Sequence, residues 1–291
     1  MPDISIDQER CTRCGACVAV CASAHVFELG DAAARAVRPD ECWLCGHCVA
    51  VCPVDAVRHA EYPLDQCPTR GPLPSYEELV AALRERRSLR VFRDKPVPRE
   101  TVRRLVDASR WAPSATNRQP VDWIAIDDPA RIARVSAEVV TTLVSTARLL
   151  RIRLLRPVLS LVLGRHNVKE AVEAVDEFER LARQHERGED PIFYDAPVVL
   201  AAHVPKGAFF GRDDAVYAAY NVMLAAERLG LGTCHIGYVN VALERNGRIP
   251  RLLGVPDERR LEVVMILGYP RFNFRRVLPR RRKELEWNPP Q

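Results

Sequence analysis

Two groups of residues in this 291-residue chain have the types and spacing to do chemistry. The first is cysteine. Cys11, Cys14, Cys17 and Cys21 form C-x2-C-x2-C-x3-C, and Cys42, Cys45, Cys48 and Cys52 repeat that spacing after a gap of twenty residues. Thiolates are soft ligands, and so many packed so closely point to a metal centre rather than to isolated nucleophiles. The second group is arginine, alternating with serine in "RRSLRVF" and clustered again near the end in "LPRRRKELEW". Planar guanidiniums suit phosphate recognition.

Three cysteines, each three residues from the next, can point inward from one tight loop onto one face of an iron–sulfur cube. The fourth, on the first turn of a helix, faces away and can ligate a second cube. This is the spacing of two-cluster bacterial ferredoxins. It predicts one [4Fe-4S] cluster on Cys11, Cys14, Cys17 and Cys52, and another on Cys42, Cys45, Cys48 and Cys21. Gly15 and Gly46 allow the backbone to curl around the sulfurs. A disulfide scaffold calls for an oxidising compartment, and "MPDISIDQER" shows no secretory pattern. Zinc sites favour pairs of C-x2-C over triplets with a trailing cysteine. Pro53 follows Cys52, as this motif favours, whereas Ala22 follows Cys21.

Nine of the ten cysteines precede residue 68, so a cysteine-dense module is joined to a cysteine-poor body. Reduced thiolates predict a cytoplasmic location. Residues 1–67 hold five Arg and no Lys against ten Asp and Glu. With a net charge of +5 for the whole chain, the remainder is distinctly basic. An acidic module beside a basic body is electrostatically self-compatible. No helix-turn-helix, zinc finger or aromatic RNA-binding motif accompanies the basic excess, so no nucleic-acid partner is expected.

The elements that must position these groups follow. Residues 1–62 form the cluster module. Residues 63–74, with Pro63, Pro68, Pro72 and Pro74, read as a semi-rigid linker. Ser75 caps a helix whose stripe is Leu79, Val80 and Leu83, and a second helix runs from Pro98 to Trp111. "DWIAID", "APVVLAAHV" and "LEVVMILGYP" read as strands, and "DAVYAAYNVMLAAERLGLG" as a long helix ended at Gly230. "KEAVEAVDEFERLARQHERGED" reads as a charged, solvent-facing helix. The apolar run Val139–Gly164 is interrupted by Arg148, Arg151, Arg153 and Arg156 and broken at Pro157, so it is not a membrane span. Three readings of it stand open: a cover over an active site or dimer interface, a buried packing helix, or a basic amphipathic helix on a membrane surface. The fold class is α+β. A two-cluster ferredoxin-like module precedes a body, residues 75–291, with a central mixed or antiparallel sheet flanked by helices.

Arg86, Ser88 and Arg90 share one face of an extended segment and can cradle a phosphate. "WAPSATNRQPVDW" sets Pro113, Ser114, Asn117, Gln119 and Pro120 in a polar loop whose amides suit a heterocycle with carbonyls and ring nitrogens. "GLGTCHIGY" offers glycines where backbone can approach a flat ring, and Arg280, Arg281 and Arg282 add phosphate partners. "RRSLRVF", "APSATNRQP", "GLGTCHIG", "ILGYP" and the terminal arginines, in that order, resemble the FMN-dependent nitroreductase family over roughly residues 75–291. With the N-terminal module, the chain looks like a ferredoxin-fused branch of it.

That resemblance implies FMN as cofactor. Arg86, Ser88 and Arg90 would hold its phosphate and ribityl chain, with Arg280 and Arg282 adding to the phosphate site. Asn117 would bond the ring or ribityl. Pro113, Ser114 and Ala115 would approach the ring from the partner subunit of a homodimer. His235, Ile236 and Gly237 would pack beside the ring. His235 departs from the bulkier aromatic or proline of many relatives, and a hydrogen-bonded structural role is an open alternative. Cys234 reads as a packed thiol and Cys67 as a free one. The function implied is transfer of electrons from clusters to FMN and on to a nitro compound, quinone or activated alkene. An electron-transfer protein and a redox sensor are the alternatives. The donor is a ferredoxin-type one-electron carrier or NAD(P)H, and no G-x-G-x-x-G follows a strand to mark a Rossmann site.

Overall fold

The computed structural model describes residues 2–152 and 173–288. The chain divides into two units: Met1–Pro74 together with Ala112–Pro120, and Ser75–Trp111 together with Val121–Gln291. The short segment Ala112–Pro120 therefore belongs with the cysteine module, although it lies between two elements of the body.

In the first unit, β1 (Ile4–Ile6) pairs antiparallel with β4 (Val57–His59), and β2 (Phe27–Leu29) with β3 (Ala34–Ala36). Two one-turn helices, α1 (Ala16–Val20) and α2 (His47–Val51), follow Gly15 and Gly46. Both glycines are left-handed, at φ 73° and 71°, which side chains resist. The trailing cysteines Cys21 and Cys52 close these helices, rather than sitting in their first turn. The core is small: Ile4, Val26, Phe27, Val49 and Val57, with Cys17 and Cys48 among them. Metal ligation is one way a unit with so small a core is stabilised. Leu64 and Cys67, inside the proline-rich stretch, pack against this core.

The second unit is built on a four-stranded antiparallel sheet. Its strands are β5 (Asp122–Ile126), β6 (Val198–Pro205), β7 (Gly232–His235) and β8 (Arg259–Gly268), in the order β5-β6-β8-β7. Successive side chains of a strand point to opposite faces. On β6, Val198, Leu200, Ala202 and Val204 join one core, while Val199 and Ala201 join the other. Both faces are covered, so this strand reads as a nearly continuous apolar run. The first core is completed by α4 (Arg99–Ser109) and α7 (Gly211–Arg228). The second is completed by α5 (Pro129–Arg151), α6 (Val175–Glu186), α8 (Gly237–Leu243) and α9 (Arg248–Leu252).

Ser75 and Glu78 form a reciprocal capping box at the start of α3 (Tyr76–Glu85). The apolar stripe of α3 is not buried in the single chain, and Leu79 and Leu83 are exposed. The helix read as solvent-facing is amphipathic: Val175, Phe178 and Leu181 of α6 are buried against α5 and its surroundings. The period of those three residues is the signal that the charged flanks masked. Within Val139–Gly164, the part up to Arg151 continues α5, and Val139, Val140, Leu143 and Ala147 pack in the core. The remainder, with Arg153 and Arg156, lies outside the described residues. Among the described residues, no helix is long and apolar enough to cross a membrane.

Candidate redox site

The first thiol loop and the end of α2 enclose one cavity, lined by Cys11, Cys14 and Cys17 and by Cys52 from the second quartet. The other quartet is reciprocal. The thiol of Cys48 is pushed up to about 12, first by burial and then by its neighbours Cys42, Cys45 and Cys21. Burial likewise raises Cys17, with Cys11 and Cys14 adding to it. Thiols that hinder each other's ionisation are the arrangement a cationic centre relieves, since a bound metal deprotonates its sulfur ligands. All ten cysteines are free thiols. Among the described residues, no group of His, Cys, Asp or Glu could hold a single metal ion. Four thiols around a cavity suit an iron–sulfur cluster.

Backbone amides reach several sulfurs: Ala56 N donates to Cys52 Sγ at 3.1 Å, Val26 N to Cys21 Sγ at 3.4 Å and Leu44 N to Cys42 Sγ at 3.3 Å. His59 is buried, and its Nε2 stands 3.6 Å from Cys42 Sγ. Its Nδ1 accepts from Glu61 N at 3.2 Å, which assigns the ring proton to Nε2 and makes it the donor to sulfur.

In the body, the segment carrying Arg86, Ser88 and Arg90 lies along β7. Ser88 bridges Thr233 in parallel, and Leu89 N donates to Thr233 O at 2.9 Å. A Cβ on Gly232 would come within 2.4 Å of the Leu89 side chain, so glycine is required for this approach. The Cys234 thiol is raised by burial, against which Arg90, the Ser88 hydroxyl and Arg86 act to lower it. The three predicted residues thus converge at one end of β7. Arg86 Nε is buried with no hydrogen-bond partner, as is Thr233 Oγ1. An unsatisfied buried guanidinium nitrogen is costly and fits an anionic ligand. Arg90 also stacks over Tyr194, with its guanidinium carbon 5.8 Å from the ring centroid.

A groove beside this segment is lined by Ser88 and Arg280, together with Arg87, Arg275 and Arg276. Those last three are basic residues that the motifs above did not single out, although "RRSLRVF" carries the first and "FNFRRVLPRRRKEL" the other two in plain view. Arg282 lies further along the exposed tail and does not line the groove. Just past β7, Ile236 is buried and its N–H donates to Val264 O at 2.8 Å, while Gly237 opens α8. His235 reaches the surface, and loss of water around its ring, then the Arg212 charge, lowers its pKa.

The loop Ala112–Pro120 sits in the first unit. Pro113 is exposed, Ser114 and Ala115 are half-buried, and Ser114 Oγ accepts from Gln119 N at 2.9 Å. Thr116, Asn117 and Gln119 have positive φ of 50°, 54° and 46°. Such angles are uncommon, and for β-branched Thr116 they mark strain. The Asn117 side-chain amide donates to the Leu44 carbonyl, between Cys42 and Cys45.

Comparison with known proteins agrees with both halves. Residues 83–269 match the Nitroreductase family, and residues 3–53 match the 4Fe-4S dicluster domain. A protein of Archaeoglobus fulgidus, provisionally named NADH dehydrogenase/NAD(P)H nitroreductase, is 26% identical over 199 residues, covering 67% of this chain and 87% of its own. The 5,6-dimethylbenzimidazole synthase of Rhodospirillum rubrum is 29% identical over 216 residues, covering 69% of this chain and 87% of its own. The crystal structure of an iodotyrosine deiodinase bound to FMN and 3-iodo-L-tyrosine shares the fold, with a TM-score of 0.52 and 22% identity over 72% of this chain and 98% of its own. The family match spans well over half of the chain, the antiparallel sheet with its two covered faces is the matching fold, and the thiol quartets occupy the dicluster segment: the chain belongs to the nitroreductase family of oxidoreductases and carries a 4Fe-4S dicluster domain at its N-terminal side.

Proposed function

We propose that this chain is an iron–sulfur flavoenzyme that takes electrons at two [4Fe-4S] clusters and passes them through FMN to a small acceptor. The acceptor class is a nitro compound, quinone or activated alkene. The observation that carries the flavin reading is the buried, unpartnered Arg86 Nε two residues before Ser88, which lines a groove with Arg87, Arg275, Arg276 and Arg280. Bound FMN supplies exchange between one- and two-electron chemistry, and each cluster supplies one-electron capacity.

The chain's own residues supply binding and electrostatics. Arg86, Ser88 and Arg90 hold the phosphate end, and Arg280, Arg275 and Arg276 add positive charge to the groove. Their bonds to phosphate are charge-assisted and so among the stronger ones available. Ile236 and Gly237 present backbone beside the ring, and His235 edges that surface. Pro113, Ser114 and Ala115 approach the ring from the partner subunit of a homodimer. Exposed Val216, Tyr217 and Tyr220 on α7 support a homodimer, because large side chains left in water on one helix favour a partner surface. The Archaeoglobus relative's name supports NAD(P)H as one donor, and the dicluster domain supports a ferredoxin-type donor.

The test is anaerobic turnover of a nitroarene and a quinone with each donor in turn. The expected result is reduction of the acceptor from a reduced ferredoxin, with Cys45→Ser retaining FMN but losing at least roughly tenfold of that rate. A Cys45→Ser variant that turns over at the full rate from the one-electron donor would refute the cluster relay.

A further inference from the structure

The two thiol loops have different surroundings, and the difference lies at the Leu44 carbonyl. Two side chains converge on it: the Asn117 amide and the Tyr62 hydroxyl each donate to Leu44 O. They also touch each other, Asn117 Nδ2 donating to Tyr62 Oη at 3.4 Å. Gln119 Nε2 donates to Asn117 Oδ1 at 3.4 Å, which fixes the amide with its nitrogen toward Leu44. Leu44 is held at φ 53°, a conformation that costs energy unless its surroundings enforce it. The Leu44 N–H on the same residue donates to Cys42 Sγ at 3.3 Å. Tyr62 also packs on His59, with ring centroids 5.1 Å apart, and His59 contacts the same sulfur.

Arg13 is the counterpart of Leu44 in the first loop, at φ 56°. Its side chain bonds Gly30 O at 3.1 Å, and among the described residues no side chain reaches its carbonyl. Hydrogen bonds to cluster sulfurs and the shielding of a site from solvent are what set a cluster's reduction potential.

We propose that Asn117, with Tyr62, is a positioning residue for the second cluster site: by holding the Leu44 carbonyl it fixes the Cys42–Cys45 loop and its N–H to sulfur bond, and thereby sets that site's reduction potential apart from the first. The strained backbone of Thr116, Asn117 and Gln119 serves this contact. The inference rests on the cluster part of the function proposed above and not on the flavin part.

The experiment uses the full chain purified without oxygen. Asn117→Ala and Tyr62→Phe are titrated with a low-potential reductant while each cluster is followed by electron paramagnetic resonance, with iron, sulfide and FMN determined alongside. Cys14→Ser and Cys45→Ser identify which signal belongs to which site. Tyr62→Phe should keep its iron and FMN, and Asn117→Ala should keep its iron. At the native midpoint of the second site, the ratio of oxidised to reduced cluster should rise about fivefold, the size of one neutral hydrogen bond. The first site should not move. Unchanged midpoints at both sites in Tyr62→Phe, which loses only a hydroxyl and is the decisive variant if Asn117→Ala loses its iron, would overturn the proposal. Loss of FMN in Asn117→Ala with both midpoints unchanged would overturn it in favour of a flavin contact. Native protein with clusters but no FMN would sink the flavin reading and leave this one to be judged on the midpoints.

Discussion

Cys11–Cys17 and Cys42–Cys48 carry their thiols on closely matching backbones. Gly15 and Gly46 stand at φ 73° and 71°, Arg13 and Leu44 at φ 56° and 53°, and each loop runs into a one-turn helix. Around them the match ends. A Cβ added at Gly15 would meet nothing within 4 Å, whereas at Gly46 it would meet the Tyr62 ring at 3.3 Å. The second loop is roofed by His59, Tyr62 and Asn117, the last arriving from 73 residues away in the chain. Local spacing sets which sulfurs face a cluster. What surrounds that cluster is set by residues brought in from elsewhere, and two copies of one motif can be tuned separately.

The largest test of this comparison is the crossed ligation. Cys52→Ser should strip about half of the bound iron and leave the spectrum of Cys14→Ser, not that of Cys45→Ser, because Cys52 lines the first cavity. Cys21→Ser should do the reverse. Iron analysis with electron paramagnetic resonance decides it, and uncrossed pairs of spectra would break the comparison at its base.

A change in the body should leave both loops alike and act on the flavin. Arg86→Ala removes a charged donor from the phosphate cradle and should weaken FMN by about 2 kcal/mol, roughly thirtyfold in Kd. Quenching of free flavin fluorescence measures it, and both cluster midpoints should stay in place.

The two glycines sharpen the comparison further. Both need left-handed backbone, so alanine at either should cost about 1 kcal/mol. Gly46→Ala should cost more than Gly15→Ala, because its methyl presses on the Tyr62 ring. The rate of iron loss to a chelator should rank the two, and equal rates would remove the roof over the second loop as a physical factor.

The smallest effect is in pH dependence. Glu177 accepts from Arg180, at 2.5 Å and 2.9 Å, and from Tyr238 Oη at 2.6 Å. These bonds, Arg180 first, hold its carboxyl below the usual range. A depressed carboxylate stabilises the fold above its unfolded pKa, and that share is lost as pH falls through the folded value. Burial, then Glu177, pushes Tyr238 up to about 12, so its share is lost as pH rises past the ordinary tyrosine range toward that value. The group is partly exposed, so each share is below about 1 kcal/mol. Glu177→Gln should flatten the acid limb of urea-unfolding stability, with no effect on either cluster.

Much of this was legible in the sequence. The dicluster domain was legible because its cysteines lie a few residues apart, so local spacing carries the signal. The sheet was legible because "APVVLAAHV" and "LEVVMILGYP" are apolar on both faces. Arg86, Ser88 and Arg90 stood out as a candidate cradle because they alternate on one short segment, whereas Arg275 and Arg276, which line the groove with Ser88, lie in a tail with no helix or strand period to place them. The start of α5 at Pro129, capped by Asp128, was not read, because polar residues dilute its first turns. The placement of Ala112–Pro120 with the cysteine module was not legible either. It joins Asn117 to Leu44 and Tyr62, far away in the chain, and no periodicity records that.

The measurement that bears most directly on the whole account is an anaerobic reductive titration of the native chain, following visible and electron paramagnetic resonance spectra, with iron, sulfide and FMN determined on the same sample. The account predicts about eight irons and one FMN per chain, two distinguishable cluster signals, and flavin bleaching as the clusters fill. Clusters without flavin, or a flavin whose reduction is indifferent to the loss of both clusters, would contradict it.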